Sequence, residues 1–151
     1  MRILAFDPGD TTGVAIVSSQ VTDEGPRASF EMMTQMTLNE LIQWTATFNE
    51  EVDLIIYERF IVFRQKAKQQ TGSKMQVSQA IGVIKALAAR LQVPIVEQGP
   101  DIKRPALAWS GITMPGVHAQ THKVDAALHA FFYLYTKGLI KNPRKGLLEN
   151  G

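Results

Sequence analysis

Apolar and polar positions along this chain switch between two periods, and each switch marks an element. Arg2–Asp7 is a short apolar run closed by an acid, Pro8-Gly9 stops it, and Gly13–Ser18 is a second apolar run, so the two read as a β-hairpin. Ala28–Met36 reads as a third strand. Thr37 with Glu40 three residues later is a capping box, and Leu38, Leu41, Ile42, Thr45 and Phe48 follow at helical spacing. Leu54–Tyr57 has the composition of a buried strand and runs into Glu58-Arg59. A polar basic loop, Arg64–Lys74, precedes a helix whose apolar positions Val77, Ile81, Ile84, Leu87, Ala88 and Leu91 keep the 3.6-residue period. Pro94-Ile95-Val96 is a further short strand, Gly111–Gly116 a Gly/Pro loop, and a last helix runs from about His118 to Lys137 with Gly138 as its C-cap. Three antiparallel strands followed by alternating helices and strands specify a mixed α/β sheet flanked by helices.

A length of 151 residues fits one domain with one core, and 45% hydrophobic with 20% charged residues excludes disordered, collagen-like and coiled-coil chains. No apolar run has the length of a membrane span, and Asp7 breaks any signal-peptide core, so a cytoplasmic protein without a membrane partner is expected. Cysteine is absent, which removes disulfides, thiolate zinc sites and a cysteine nucleophile and leaves oxygen and imidazole as metal ligands. The net charge of +2 conceals a strong asymmetry. Residues 1–58 hold two basic residues against ten acids; residues 59–104 hold nine basics (Arg59, Arg64, Lys66, Lys68, Lys74, Lys85, Arg90, Lys103, Arg104) against Glu97 and Asp101. A basic stretch of this density suits a polyanion, the alternative being a lysine loop that is only solvated.

Asp7 ends the first strand and Glu58 the fourth, and a carboxylate directly after an apolar strand needs a partner or a cation. His122 and Asp125, three apart on the last helix, share a face, and the apolar continuation Ala126, Ala127, Leu128, Phe131, Phe132 and Leu134 packs that helix on the sheet. If its N-terminal part lies over the ends of strands one and four, three carboxylates converge, and only divalent cations such as Mg²⁺ or Mn²⁺ neutralise such a cluster. The chemistry that fits is two-metal hydrolysis of a phosphodiester, with the ions about 4 Å apart. His122 could then coordinate the second ion or position and deprotonate the attacking water.

Asp7-Pro8-Gly9 after a strand, Gly13 opening the next, Glu58 ending Ile55-Ile56-Tyr57, the segment Gly99-Pro100-Asp101-Ile102-Lys103 and His122-Lys123-Val124-Asp125-Ala126 together resemble the RuvC family of Holliday junction resolvases. The resemblance covers most of the chain in order. It implies a ribonuclease H-like fold with a five-stranded mixed sheet, and a homodimer that cuts branched DNA and leaves 5′-phosphate and 3′-hydroxyl ends. Carried over by position, it makes Asp7, Glu58, His122 and Asp125 metal ligands and Lys103 a contact to phosphate or to transition-state charge. Arg59, Phe60, Phe63, Arg64, Lys66, Lys68, Lys74, Lys103 and Arg104 become the DNA-binding set, with Phe60 and Phe63 either stacking on bases or serving as core. The short chain and Thr11-Thr12 in the first turn look more like the compact versions encoded by bacterial viruses.

Other readings stay in competition. His118, His122, Asp125 and His129 lie on one helical stripe, from which two histidines and an aspartate could hold zinc, although His129 beside Phe131 and Phe132 sits where core histidines are commoner. Asp7-x-Gly9-x-Thr11-Thr12-Gly13 is also similar to the phosphate-binding turn of the actin and sugar-kinase superfamily, but there is no room for its second lobe. A non-catalytic nucleic-acid binding module would leave Asp7, Glu58 and Asp125 without a purpose. For a dimer, small residues Ala80, Gly82, Ala86 and Ala89 on the Val77–Leu91 helix are the candidate contact, unless they serve only to seat that helix on its own sheet.

Overall fold

The computed structural model describes residues 1–60, 71–112 and 121–141, without the side chains of 71–74. Strands β1 (Arg2–Asp7), β2 (Thr12–Thr22) and β3 (Gly25–Met36) form an antiparallel meander, followed by helix α1 (Leu38–Thr47), strand β4 (Leu54–Glu58), helix α2 (Thr71–Leu91) and strand β5 (Ile95–Gln98). A 3₁₀ turn (Pro100–Ile102) leads into helix α3 (Lys103–Ser110), and helix α4 (Thr121–Thr136) closes the order. The sheet runs β3-β2-β1-β4-β5, with β4 parallel to both β1 and β5, the mixed five-stranded sheet that the sequence predicts.

Strand alternation divides this sheet into two faces with different duties. Ile3 and Ala5 of β1, Ala15 and Val17 of β2, and Leu54 and Ile56 of β4 point to one side, where α3 and α4 cover them. Leu4, Phe6, Val14, Ile16, Ile55 and Tyr57 point to the other, against α1 and α2. Continuing the first set by one step puts Asp7 and Glu58 on the α4 side, because Ile3 pairs with Leu54 and Ala5 with Ile56.

Close approach of α4 follows from small side chains on both partners. Ala126, Ala127 and Ala130 are fully buried in the same cluster as Ala5 and Ala15, while Leu128, Phe131 and Leu134 each contribute about 2 kcal/mol of apolar burial. Gly13 marks the tightest point: a Cβ there would stand 1.9 Å from the carbonyl oxygen of His122. The helix ends as expected at Gly138, whose φ of 70° allows the amides of Gly138 and Leu139 to reach the carbonyls of Tyr135 and Leu134. At the start of α1 the capping box of Thr37 and Glu40 is formed.

Four element boundaries differ from the sequence reading. β2 and β3 run past the core into an arm, Gln20–Thr22 against Gly25–Arg27, whose residues carry no alternation signal. Thr71–Lys74 are helical where a loop is expected, since polarity reports exposure and does not oppose a helix. α3 has no counterpart in the expected elements; its Pro105 falls in the first turn, where proline is tolerated. β5 runs two residues beyond Val96, as far as Gln98. No helix among the described residues is long and apolar enough to cross a membrane.

Candidate active site

Four segments deliver polar groups to one end of the α4 face. Asp7 arrives as the last residue of β1 and is 2% exposed, while Glu58 arrives as the last residue of β4. Lys103 opens α3 and is carried there by the turn that follows β5, and α4 presents His122, Asp125 and His129 along one stripe.

Lys103 stands at the centre, its Nζ 2.6 Å from Glu58 Oε2, 3.0 Å from Asp125 Oδ2 and 3.6 Å from Asp7 Oδ1. Burial alone would push this ammonium down, but Asp7, Glu58 and Asp125 overcome it and hold Lys103 above the ordinary lysine range. His122 Nδ1 lies 2.5 Å from Asp7 Oδ2, and that hydrogen bond raises the imidazole above its usual value against burial. Burial pushes Asp125 up, whereas Glu58, drawn upward by burial, is brought below the usual carboxylate range by His129 and Lys103.

Asp7, His122 and Asp125 offer ligand atoms that all lie within 4.8 Å of one another. Two carboxylates and an imidazole, without sulfur, are a donor set that fits a divalent cation. Glu58 is not in that trio. Its Oε2 is engaged by Lys103 and by His129 Nε2 at 2.8 Å, so three of the four expected ligands are gathered and the fourth is held beside them. His129 is likewise outside the trio; its second ring nitrogen, Nδ1, lies 2.8 Å from Gln98 Oε1, which turns it away from the zinc set considered with His122 and Asp125.

The glycines of the first turn serve α4. A Cβ on Gly9 would meet His122 Cε1 at 2.8 Å and Nε2 at 3.0 Å, so the imidazole packs directly over the turn. Glu58 and Arg59 do not pair with each other: the Arg59 amide donates to the Gln98 carbonyl, and its side chain is exposed. Arg104 is exposed and Phe60 half-buried near the same end. Phe63, Arg64, Lys66, Lys68 and His118 lie outside the described residues, as does the side chain of Lys74. Sequence reasoning missed Gln98 and the role of His129; the available signal was the four-residue step from Asp125 to His129 on one stripe.

Three solved structures share this architecture. Thermus thermophilus RuvC, solved in complex with a Holliday junction substrate, superposes with a TM-score of 0.65 at 17% identity over 93% of this chain and 99% of its own. The yeast mitochondrial Holliday junction resolvase gives 0.59 at 12% identity over 99% and 84%. The fowlpox virus resolvase, solved with Holliday junction DNA, gives 0.50 at 16% over 93% and 100%. No protein-family model matches the chain, and neither does any curated protein. At these identities the likeness establishes a RuvC-like resolvase fold.

Proposed function

We propose that this chain is a divalent-metal-dependent endonuclease that cuts branched DNA, Holliday junctions first among them. The observation that carries the reading is the convergence of Asp7, His122 and Asp125 around Lys103, with Glu58 beside them, on the end of the sheet that α4 covers. A fold needs no such cluster: gathering three carboxylates costs stability unless the charge is wanted. Asp7, His122 and Asp125 would hold the cation, and Glu58 would join them when Lys103 turns from the acids to a phosphate. Of two bound Mg²⁺ or Mn²⁺ ions, one would lower the pKa of the attacking water and the other would stabilise the leaving oxygen. Lys103 supplies positive charge to the scissile phosphate, and Asp7, through its hydrogen bond with Nδ1, orients the His122 imidazole toward the cation. Arg59 and Arg104, both exposed near the site, extend the positive surface along the DNA backbone.

Paired cuts in a symmetrical junction need two sites related by a two-fold axis, so the proposal includes a homodimer. Ala80 is removed from the candidate contact because it is 1% exposed in the chain's own core, whereas Gly82, Ala86 and Ala89 lie on the outer side of α2. A fully active monomer in sedimentation at micromolar concentration would refute the dimer.

The test is incubation with four-way, three-way, flap and linear duplex DNA in Mg²⁺ or Mn²⁺, with Asp7→Asn as the control. Cutting of branched DNA is expected from the wild type, and binding without cutting from Asp7→Asn. Equal cutting of linear duplex overturns the structure selectivity, metal-independent cutting overturns the role of the cation, and binding without cutting by the wild type favours a binding module.

A further inference from the structure

His129 is the one fully buried histidine among the described residues, and a leucine would fill its place in the apolar run Leu128–Phe131. Its two ring nitrogens are both spent at 2.8 Å, Nε2 on Glu58 Oε2 and Nδ1 on Gln98 Oε1. Sheet register prepares this arrangement. Glu58 and Gln98 are paired residues at the ends of parallel strands β4 and β5, so their side chains emerge together toward α4. The imidazole enters between them from above. Burying it costs free energy that packing does not return, while charge-assisted bonds to a carboxylate are stronger than neutral ones and fix direction as well as distance.

We infer that His129, backed by Gln98, is a positioning residue that holds the Glu58 carboxylate in the orientation the metal site needs, a reading that rests on Glu58 being a metal ligand. Two groups share Glu58 Oε2, and they differ in permanence. Lys103 is 24% exposed on a flexible stem and is the partner that a phosphate or a divalent cation can draw away. His129 has no exposed surface, and its χ angles are fixed by the packing of α4 on the sheet. Once Lys103 leaves, His129 still restrains rotation about the last bond of Glu58, so the carboxylate meets a cation already aimed. Groups that orient metal ligands in this way are worth 10–100-fold in metal affinity or activity.

The test measures Mn²⁺ binding to the full chain by calorimetry, beside melting temperature in chelator and cleavage rate against Mn²⁺ concentration. His129→Leu keeps the bulk and removes the donor, and is expected to weaken Mn²⁺ binding by at least about tenfold. His129→Gln keeps an N–H toward Glu58 and should recover most of that loss. Wild-type affinity in His129→Leu, or a loss in His129→Gln as large as in His129→Leu, overturns the inference. Should His129→Leu not fold, Gln98→Leu decides: a few-fold loss of affinity with an unchanged melting temperature supports the role, and unchanged affinity overturns it. Glu58→Gln separates the two levels. If it leaves Mn²⁺ binding intact, the ligand assignment of Glu58 fails; if it weakens binding and His129→Leu does not, only the positioning role fails.

Discussion

Gly13 and His122 meet backbone to backbone: the Cβ that Gly13 lacks would lie 1.9 Å from the His122 carbonyl oxygen. Neither atom can rotate away, so Gly13→Ala forces α4 off β2 and should destabilise by about 3 kcal/mol, the upper end of overpacking costs. Gly82→Ala is the matched control. It adds a Cβ with nothing within 4 Å on an exposed helical position, and should stabilise by up to about 1 kcal/mol. Urea unfolding of both variants checks the pair, and a Gly13→Ala protein as stable as wild type would mean that α4 docks otherwise.

Removing the cation at the centre of the acids should expose their repulsion. Lys103→Met keeps the stem and drops the charge next to Glu58, Asp125 and Asp7, so chelator-treated protein is expected to lose about 2 kcal/mol. Mg²⁺ or Mn²⁺ should then raise the melting temperature more than in wild type, because the ion no longer competes with an ammonium. Identical melting in chelator, or a smaller metal response, would contradict this account of Lys103.

His122 can be tested by two substitutions with opposite expectations. His122→Asp restores a hard oxygen ligand and should retain cleavage with a shifted metal optimum, though its charge beside Asp7 lowers stability in chelator. His122→Ala should reduce the cleavage rate by about 100-fold or more at unchanged folded fraction. If activity in both variants follows folded fraction alone, His122 has no part in the reaction.

Tyr57 supplies a pH dependence on the opposite face of the sheet. Burial and the hydrogen bond to Glu97, at 2.5 Å, push its phenol from 10.0 up to about 12. The folded value lies above the unfolded one, so the associated stability is complete below pH 10 and disappears as pH rises through 12. Tyr57→Phe should be about 1 kcal/mol less stable at neutral pH for want of the hydrogen bond, and should lose less than wild type between pH 10 and 12. Parallel stability curves for the two proteins across that window would refute the assignment.

The parts of the site that the sequence discloses are those with a local signature. Asp7 and Glu58 announce themselves by following apolar strands, and His122 with Asp125 by helical spacing ahead of a packed face. What stayed hidden depends on partners far away in the chain. An imidazole inside Leu128–Phe131 looks like core until Glu58 and Gln98 are brought against it, and Gln98 lies beyond the apolar residues that mark β5. The polar arms of β2 and β3 escaped for a related reason: no helix covers them, so nothing imposes alternation. α3 was obscured by Pro105 in its first turn and by Pro100 in the 3₁₀ turn before it, both placed where a helix start accepts them.

The separation of 115 positions between Asp7 and His122 also sets a time. A ribosome adding on the order of 10 residues per second makes the first acid about ten seconds before the helix that completes its surroundings. By the end of that interval the growing chain holds β1 with Asp7 and β4 with Glu58, but no α4 to gather them. The cluster is therefore assembled late and all at once, with the docking of one helix, and a chain released before Thr121 lacks His122 and Asp125 altogether.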